Sequence, residues 1–190
     1  MEEMEILKFL MGSQQEAFSI RKISQIRKIN YKSAHAAVKR LEKQGIITLK
    51  KTGNTTICSF SGKFNEKVFH AEYERREKLL KNKNFKIIHE KLDSLPFMFV
   101  ALLFGSYVRG NATKGSDIDI LTVCEKGREK YIERAISLLP LKIHLTAIDC
   151  EEFLIMAKSR EFTVLSEAMK NNIILVGIED YWRLVENAGQ

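Results

Sequence analysis

Apolar and polar positions along the chain repeat with two different periods, and the change of period marks where helices give way to strands. Met4, Ile6, Leu7, Leu10 and Met11 follow the spacing of a helix with one apolar face, so Glu2 to Met11 is predicted helical and Gly12 ends it. A second helix fits Ile20 to Lys28, with Ile23 and Ile26 inward and Arg21, Lys22, Arg27 and Lys28 outward. Asn30 is placed to cap a third, Tyr31 to Gln44, whose inward face is Ala34, Ala37, Val38 and Leu41 and which Gly45 ends. Two β-prone runs follow, Ile46 to Leu49 and Thr55 to Phe60, joined by Lys50-Lys51-Thr52-Gly53-Asn54 as a hairpin with a basic tip.

Beyond residue 62 the pattern lengthens. Asn65 can cap a long helix reaching about Leu95, with Asn82 and Asn84 as candidate interruptions. Phe97 to Phe104 is an unbroken apolar run ended by Gly105, which suits a strand covered on both faces. Ile118 to Val123 reads as a second strand, Gly127 to Leu139 as a helix ended by Pro140, and Leu141 to Ile148 as a third strand. Helices at Glu151 to Lys158 and Phe162 to Lys170, a strand at Ile173 to Ile178 and a helix at Tyr181 to Glu186 complete the chain. The reading is an α+β protein in three parts: residues 1–62, a connecting helix over 63–95, and a mixed sheet with helices over 96–190. The connector either links its neighbours or pairs with its copy in a homodimer.

Composition adds limits. With 190 residues of which 45% are apolar, the chain can bury real cores. It has no run of ~18 apolar residues, and Met1 to Glu5 is acidic, so a cytoplasmic protein without membrane partners is expected. Cys58, Cys124 and Cys150 lack disulfide or zinc spacing and read as buried free thiols. The net charge of +7 is uneven: Lys and Arg outnumber Asp and Glu 11 to 5 over residues 1–60 and 9 to 6 over 61–94, but are outnumbered 13 to 11 over 95–190. A basic first part beside a mildly acidic last part points to a polyanion partner for the first alone.

The stretch richest in chemistry is Gly105-Ser106-Tyr107-Val108-Arg109-Gly110, followed by Asn111 to Gly115 and Ser116-Asp117-Ile118-Asp119. Gly105 lets a ligand approach the backbone, and Ser106 offers a hydroxyl and an N–H to a phosphate where a helix begins. Asp117 and Asp119 are two residues apart, so both carboxylates project from one strand face, while Ile118 and Ile120 fill the other. Two hard oxygen ligands suit Mg²⁺.

Gly-Ser, ten residues, then Asp-x-Asp resembles the signature of the nucleotidyltransferase superfamily that includes DNA polymerase beta, kanamycin nucleotidyltransferase and the minimal nucleotidyltransferases; Gly110 and Ser116 match it too. The resemblance implies a small mixed sheet with helices mainly on one side. It also implies an NTP, ATP above others, as substrate or ligand, two Mg²⁺ ions on Asp117 and Asp119, and phosphate contacts from Gly105 and Ser106. Active members carry a third carboxylate on the strand beside Asp-x-Asp. A helical crossover makes Leu141–Ile148 parallel to that strand, so its neighbours are Lys142 to His144, none acidic. Asp149 lies five residues beyond His144, about 17 Å along a strand, and on the opposite face. His144 occupies the position of the missing acid, where an imidazole could accept a proton or take a metal, or could mark a site that binds nucleotide without turning it over. Arg109 and Lys114, flanking the turn, are candidate triphosphate contacts, and Lys142 could neutralise phosphate or replace a metal.

Three helices and a hairpin make a winged helix, and residues 1–60, including Leu-Glu-Lys-Gln-Gly-Ile-Ile over 41–47, look like the winged helix-turn-helix domains of bacterial and archaeal regulators. That resemblance implies double-stranded DNA as partner, with Lys32, Ser33, His35, Lys39 and Arg40 toward the major groove and Lys50 and Lys51 on phosphates. Three functions stay open: an enzyme transferring NMP to a small-molecule or protein hydroxyl, a nucleotide-sensing transcriptional regulator, and an antitoxin-like partner protein.

Overall fold

A computed structural model describes residues 1–14, 16–159 and 161–189. The chain divides into two compact units, Met1–Ala71 and Glu72–Gln190. Among the described residues no helix is long and apolar enough to cross a membrane.

In the first unit, α1 (Glu2–Met11) buries Ile6, Leu7, Leu10 and Met11. The two-residue strand β1 (Phe18–Ser19) follows, too short to leave any period in the sequence. Ser19 then caps α2 (Ile20–Arg27), its hydroxyl accepting from the Lys22 N–H, and Asn30 caps α3 (Tyr31–Lys43) in the same way through Lys32. Strands β2 (Ile47–Thr52) and β3 (Thr55–Phe60) pair antiparallel, and β1 joins the far edge of β3 to give the order β1-β3-β2. The expected five-residue basic tip is corrected. Thr52 pairs with Thr55, so only Gly53 and Asn54 turn the chain, and Gly53 takes φ +57°. Lys50 and Lys51 therefore lie within β2, opposite Ile57 and Thr56, and strand alternation sends them to opposite faces.

The expected single connecting helix is two. α4 (Glu66–Leu79) runs across the boundary between the units, and α5 (Lys83–Asp93) starts afresh where the Asn82 side chain accepts from the Asn84 N–H at 2.9 Å. The first helix has already stopped at Leu79, and the cap at Asn82 begins the next, which breaks the shared apolar stripe.

The second unit holds β4 (Val100–Phe104), the one-turn helix α6 (Ser106–Arg109), β5 (Ile118–Val123), α7 (Glu129–Ser137), β6 (Ile143–Ile148), α8 (Cys150–Lys158), α9 (Val164–Lys170), β7 (Ile173–Val176) and α10 (Ile178–Asn187). Its sheet has the order β6-β5-β4-β7. β4 is antiparallel to both neighbours, while the α7 crossover makes β5 and β6 parallel. Every residue of β4 is buried. On one face Ala101, Leu103, Ile118 and Ile120 pack with Phe85, Ile88 and Leu92 of α5 and Ile132 and Ile136 of α7. Each Leu, Ile or Phe side chain among them contributes about 1.5–3 kcal/mol. Val100, Leu102, Leu121 and Val123, of the opposite parity, are buried as well, and α9 and α10 contact β4. Helices thus cover both faces, not mainly one, because an all-apolar central strand leaves no face that water can wet without cost. Cys58 and Cys124 are buried and burial pushes the Cys58 thiol up to about 11; Cys150, expected to be buried, is exposed at the start of α8.

Charge in the first unit is partly spent internally. Glu3 accepts from Arg40 and from Lys67 at 2.9 Å, joining α1, α3 and α4, and Glu5 pairs with Lys8 and Arg27. The Lys67 hydrogen bond, then that of Arg40, holds the Glu3 carboxyl below its ordinary pKa despite some desolvation; Lys8 and Arg27 do the same for Glu5. A folded-state pKa below the unfolded one stabilises the fold above the unfolded value, and that contribution disappears as pH falls through the folded value. Glu3→Gln is therefore expected to cost about 1 kcal/mol at pH 7 and clearly less at pH 3 in urea titrations; equal stability of the two proteins at pH 7 would contradict this.

Candidate active site

Register builds the site. Phe104 pairs with Asp119, so Gly105 emerges from β4 directly beside that carboxylate. Gly105 has φ +74° and ψ −149°, and a Cβ built there would lie 2.2 Å from Asp119 Oδ2 and 3.0 Å from its Cγ. Both the backbone conformation and the space demand glycine. The carboxylate consequently rests against bare backbone at the point where α6 begins.

The turn that follows is held by its own groups. The Arg109 N–H donates to the Gly105 carbonyl at 3.1 Å, the Asn111 N–H to that of Ser106 at 3.1 Å, and Gly110 ends α6 in the left-handed region. Ser116 closes the next loop: its hydroxyl accepts from the Thr113 N–H at 2.9 Å, and its own N–H donates to the Thr113 carbonyl at 3.1 Å. Tyr107, packed edge-on against Phe85, donates from its hydroxyl to the Ser116 carbonyl at 3.4 Å. Lys114 stands exposed on this loop.

Asp119 is partly buried, whereas Asp117 lies one residue before β5 and is exposed. The alternation of the strand keeps both on the face opposite Ile118 and Ile120, which are buried. Parallel pairing sets His144 against Asp119, with His144 Nδ1 3.4 Å from Asp119 Oδ1 and the ring two-thirds exposed. Lys142 is exposed and its carbonyl accepts from the Ile118 N–H at 2.8 Å, which brings it beside Asp117. Asp149 is elsewhere and otherwise engaged: it caps α8 in a reciprocal box with Glu152 and meets Lys126 at 3.2 Å, and the Glu152 N–H is the main cause of its lowered pKa.

Of the nucleotide candidates, Gly105, Ser106, Asp119 and His144 come together, with Asp117 at the rim. Gly110 and Ser116 shape the turn. Arg109 turns to α9, its Nη1 donating to Glu167 Oε1 at 2.6 Å. Nothing in the sequence pattern singles out Glu167, a half-buried acid in the first turn of a helix.

Among the described residues, no three His, Cys, Asp or Glu side chains are grouped to hold a metal ion. Two carboxylates on one strand face still fit Mg²⁺, which commonly takes one or two protein carboxylates and completes its shell with substrate phosphates and water.

In the first unit a polar cleft of about 770 Å³ lies between the amino-terminal ends of α2 and α3 and the β2–β3 turn, lined among others by Arg21, Gln25, Tyr31, His35, Asn54 and Thr56. Of the expected DNA contacts, His35 lines this cleft, Lys32, Lys50 and Lys51 are exposed and Ser33 is half-buried. Lys39 is paired with Glu42 at 2.9 Å and Arg40 with Glu3. Arg21 was not among the candidates.

Residues 86–175, from within α5 to β7, match the family model described as nucleotidyltransferase domain, so this part of the chain is similar to such domains and the match supports the nucleotidyltransferase superfamily. No curated protein and no solved structure gives a significant match.

Gly105→Ala is expected to destabilise the protein by on the order of 2 kcal/mol, from the left-handed backbone and the clash with Asp119. Combined with Asp119→Ala, part of that loss should return, because the two effects share one contact. Strict additivity in urea titrations would show that the glycine and the carboxylate do not meet.

Proposed function

We propose that the second unit binds a nucleoside triphosphate on the Gly105–Ser106 turn and transfers its nucleoside monophosphate to an acceptor hydroxyl. The observation that carries this reading is the Asp119 carboxylate seated on the Gly105 backbone. Ser106 donates to the phosphate chain through its hydroxyl and its backbone N–H. Asp117 and Asp119 would hold Mg²⁺, which would neutralise phosphate charge and lower the pKa of the attacking hydroxyl. Lys142 adds positive charge at the rim. His144, steadied through Nδ1 by Asp119, takes the acceptor's proton at Nε2 as the new O–P bond forms and pyrophosphate leaves.

One observation favours a second reading of the same site. An imidazole rather than a carboxylate stands opposite Asp119. With one fewer anion to hold metal, the unit would bind nucleotide and report it without turning it over. Incubation with labelled ATP and Mg²⁺, alone and with cell lysate, separates the two: transfer that Asp117→Ala with Asp119→Ala abolishes is the expected result. Binding without transfer would leave the sensor, and binding by the double variant as tight as wild type would sink both.

We further propose that the first unit is a winged helix that binds double-stranded DNA. Its support is the coincidence of the net positive charge with a polar cleft between α2, α3 and the hairpin turn. α3 would enter the major groove, with His35 and Lys32 near bases and Arg21, Lys50 and Lys51 on phosphates. Affinity for duplex DNA should fall steeply with salt, and replacing Arg21 and Lys50 with Ala should reduce the log–log slope by about 1–2. Affinity indifferent to salt would contradict the assignment.

A further inference from the structure

Arg109 sits one helical turn beyond Gly105, its N–H bonded to the Gly105 carbonyl, and its side chain is held from outside the turn. Glu167 Oε1 accepts from Arg109 Nη1 at 2.6 Å. The helix that supplies Glu167 is anchored at both ends. At the start of α9, Thr163 and Ser166 cap one another, with N–H to hydroxyl distances of 2.9 and 3.1 Å, and Leu165 and Ala168 are fully buried. Past its end, the buried Asn172 donates to the Ala168 carbonyl at 2.8 Å, and its own carbonyl accepts from Arg75, which pairs with the buried Glu72 at 2.7 Å. Glu167 is thus a carboxylate on a fixed post.

The pair itself is 47% and 33% exposed at its two side chains, and exposed pairs add little to stability. What it does is fix a long cation. A guanidinium carries five N–H donors in a rigid fork, so one bond to Glu167 leaves others for a second anion.

We propose that Glu167 is a positioning residue that holds Arg109 so that its remaining N–H groups meet the phosphate chain of a nucleotide on the Gly105–Ser106 turn. The inference rests on the nucleotide-binding reading of that turn. Freezing the guanidinium beforehand removes an ordering cost that the ligand would otherwise bear.

The test uses the full chain with Mg²⁺ and a fluorescent ATP analogue, displaced by ATP or by adenosine, which has the base and sugar but no phosphate. Glu167→Gln, of the same shape, should weaken ATP about tenfold while leaving adenosine within about twofold and the urea midpoint unchanged. Glu167→Asp, which keeps the charge, should recover part of the ATP affinity. Equal weakening of ATP and adenosine would reduce Glu167 to a structural part, and tighter ATP binding would make it a competitor for Arg109; either overturns the proposal. A wild-type protein that ATP cannot clear of the analogue, or that never binds it, overturns the nucleotide reading of the turn and this inference with it.

Discussion

The second unit depends on the contact between the Asp119 carboxylate and the backbone of Gly105. It exists because β4 and β5 pair with Phe104 opposite Asp119, and it persists because β4 is buried along its whole length. A slip of one residue in that pairing would drive Asp119 toward α5 and α7 and expose Ile118 and Ile120. Hydrophobic burial on both faces of the sheet therefore fixes the position of a charged group at its rim. The same register, carried through the parallel pair to β6, decides that the group beside Asp119 is His144. Scaffold and chemistry are in this sense one constraint.

Charge is handled differently in the two units. In the first, Arg40, Lys67, Lys8 and Arg27 are drawn into pairs with Glu3 and Glu5, so part of the basic excess holds helices together and only the remainder faces solvent. In the second, Arg75 is committed through both terminal nitrogens to Glu72 and to the Asn172 backbone carbonyl. A cation counted from sequence is thus not a cation available to a ligand, and the cleft beside Arg21 and His35 is a better guide than the number of lysines.

Several elements could be read from the chain before any coordinates. The spacing of Ile6, Leu7, Leu10 and Met11 gives α1 its limits, Asn30 does cap α3, and the run from Ile118 to Val123 is β5. The pairing of His144 with Asp119 followed from parity and a right-handed crossover, two rules that need no tertiary detail. Other features leave no local trace. β1 is two residues long and exists only through β3; Lys50 and Lys51 are strand residues because β3 offers them partners; the break at Asn82 is a capping choice inside a charged stretch that resembles one helix. Glu167 lies 58 residues from Arg109, and only the path of the chain between β6 and β7 brings them together.

The most direct test of the central claim is a crystal structure of the full chain with Mg²⁺ and a non-hydrolysable ATP analogue. The account predicts the phosphate chain against the Gly105 and Ser106 backbone, with at least one cation bridging it to Asp119. A nucleotide bound away from this turn, or a phosphate chain on the turn with no cation at Asp119, would contradict it.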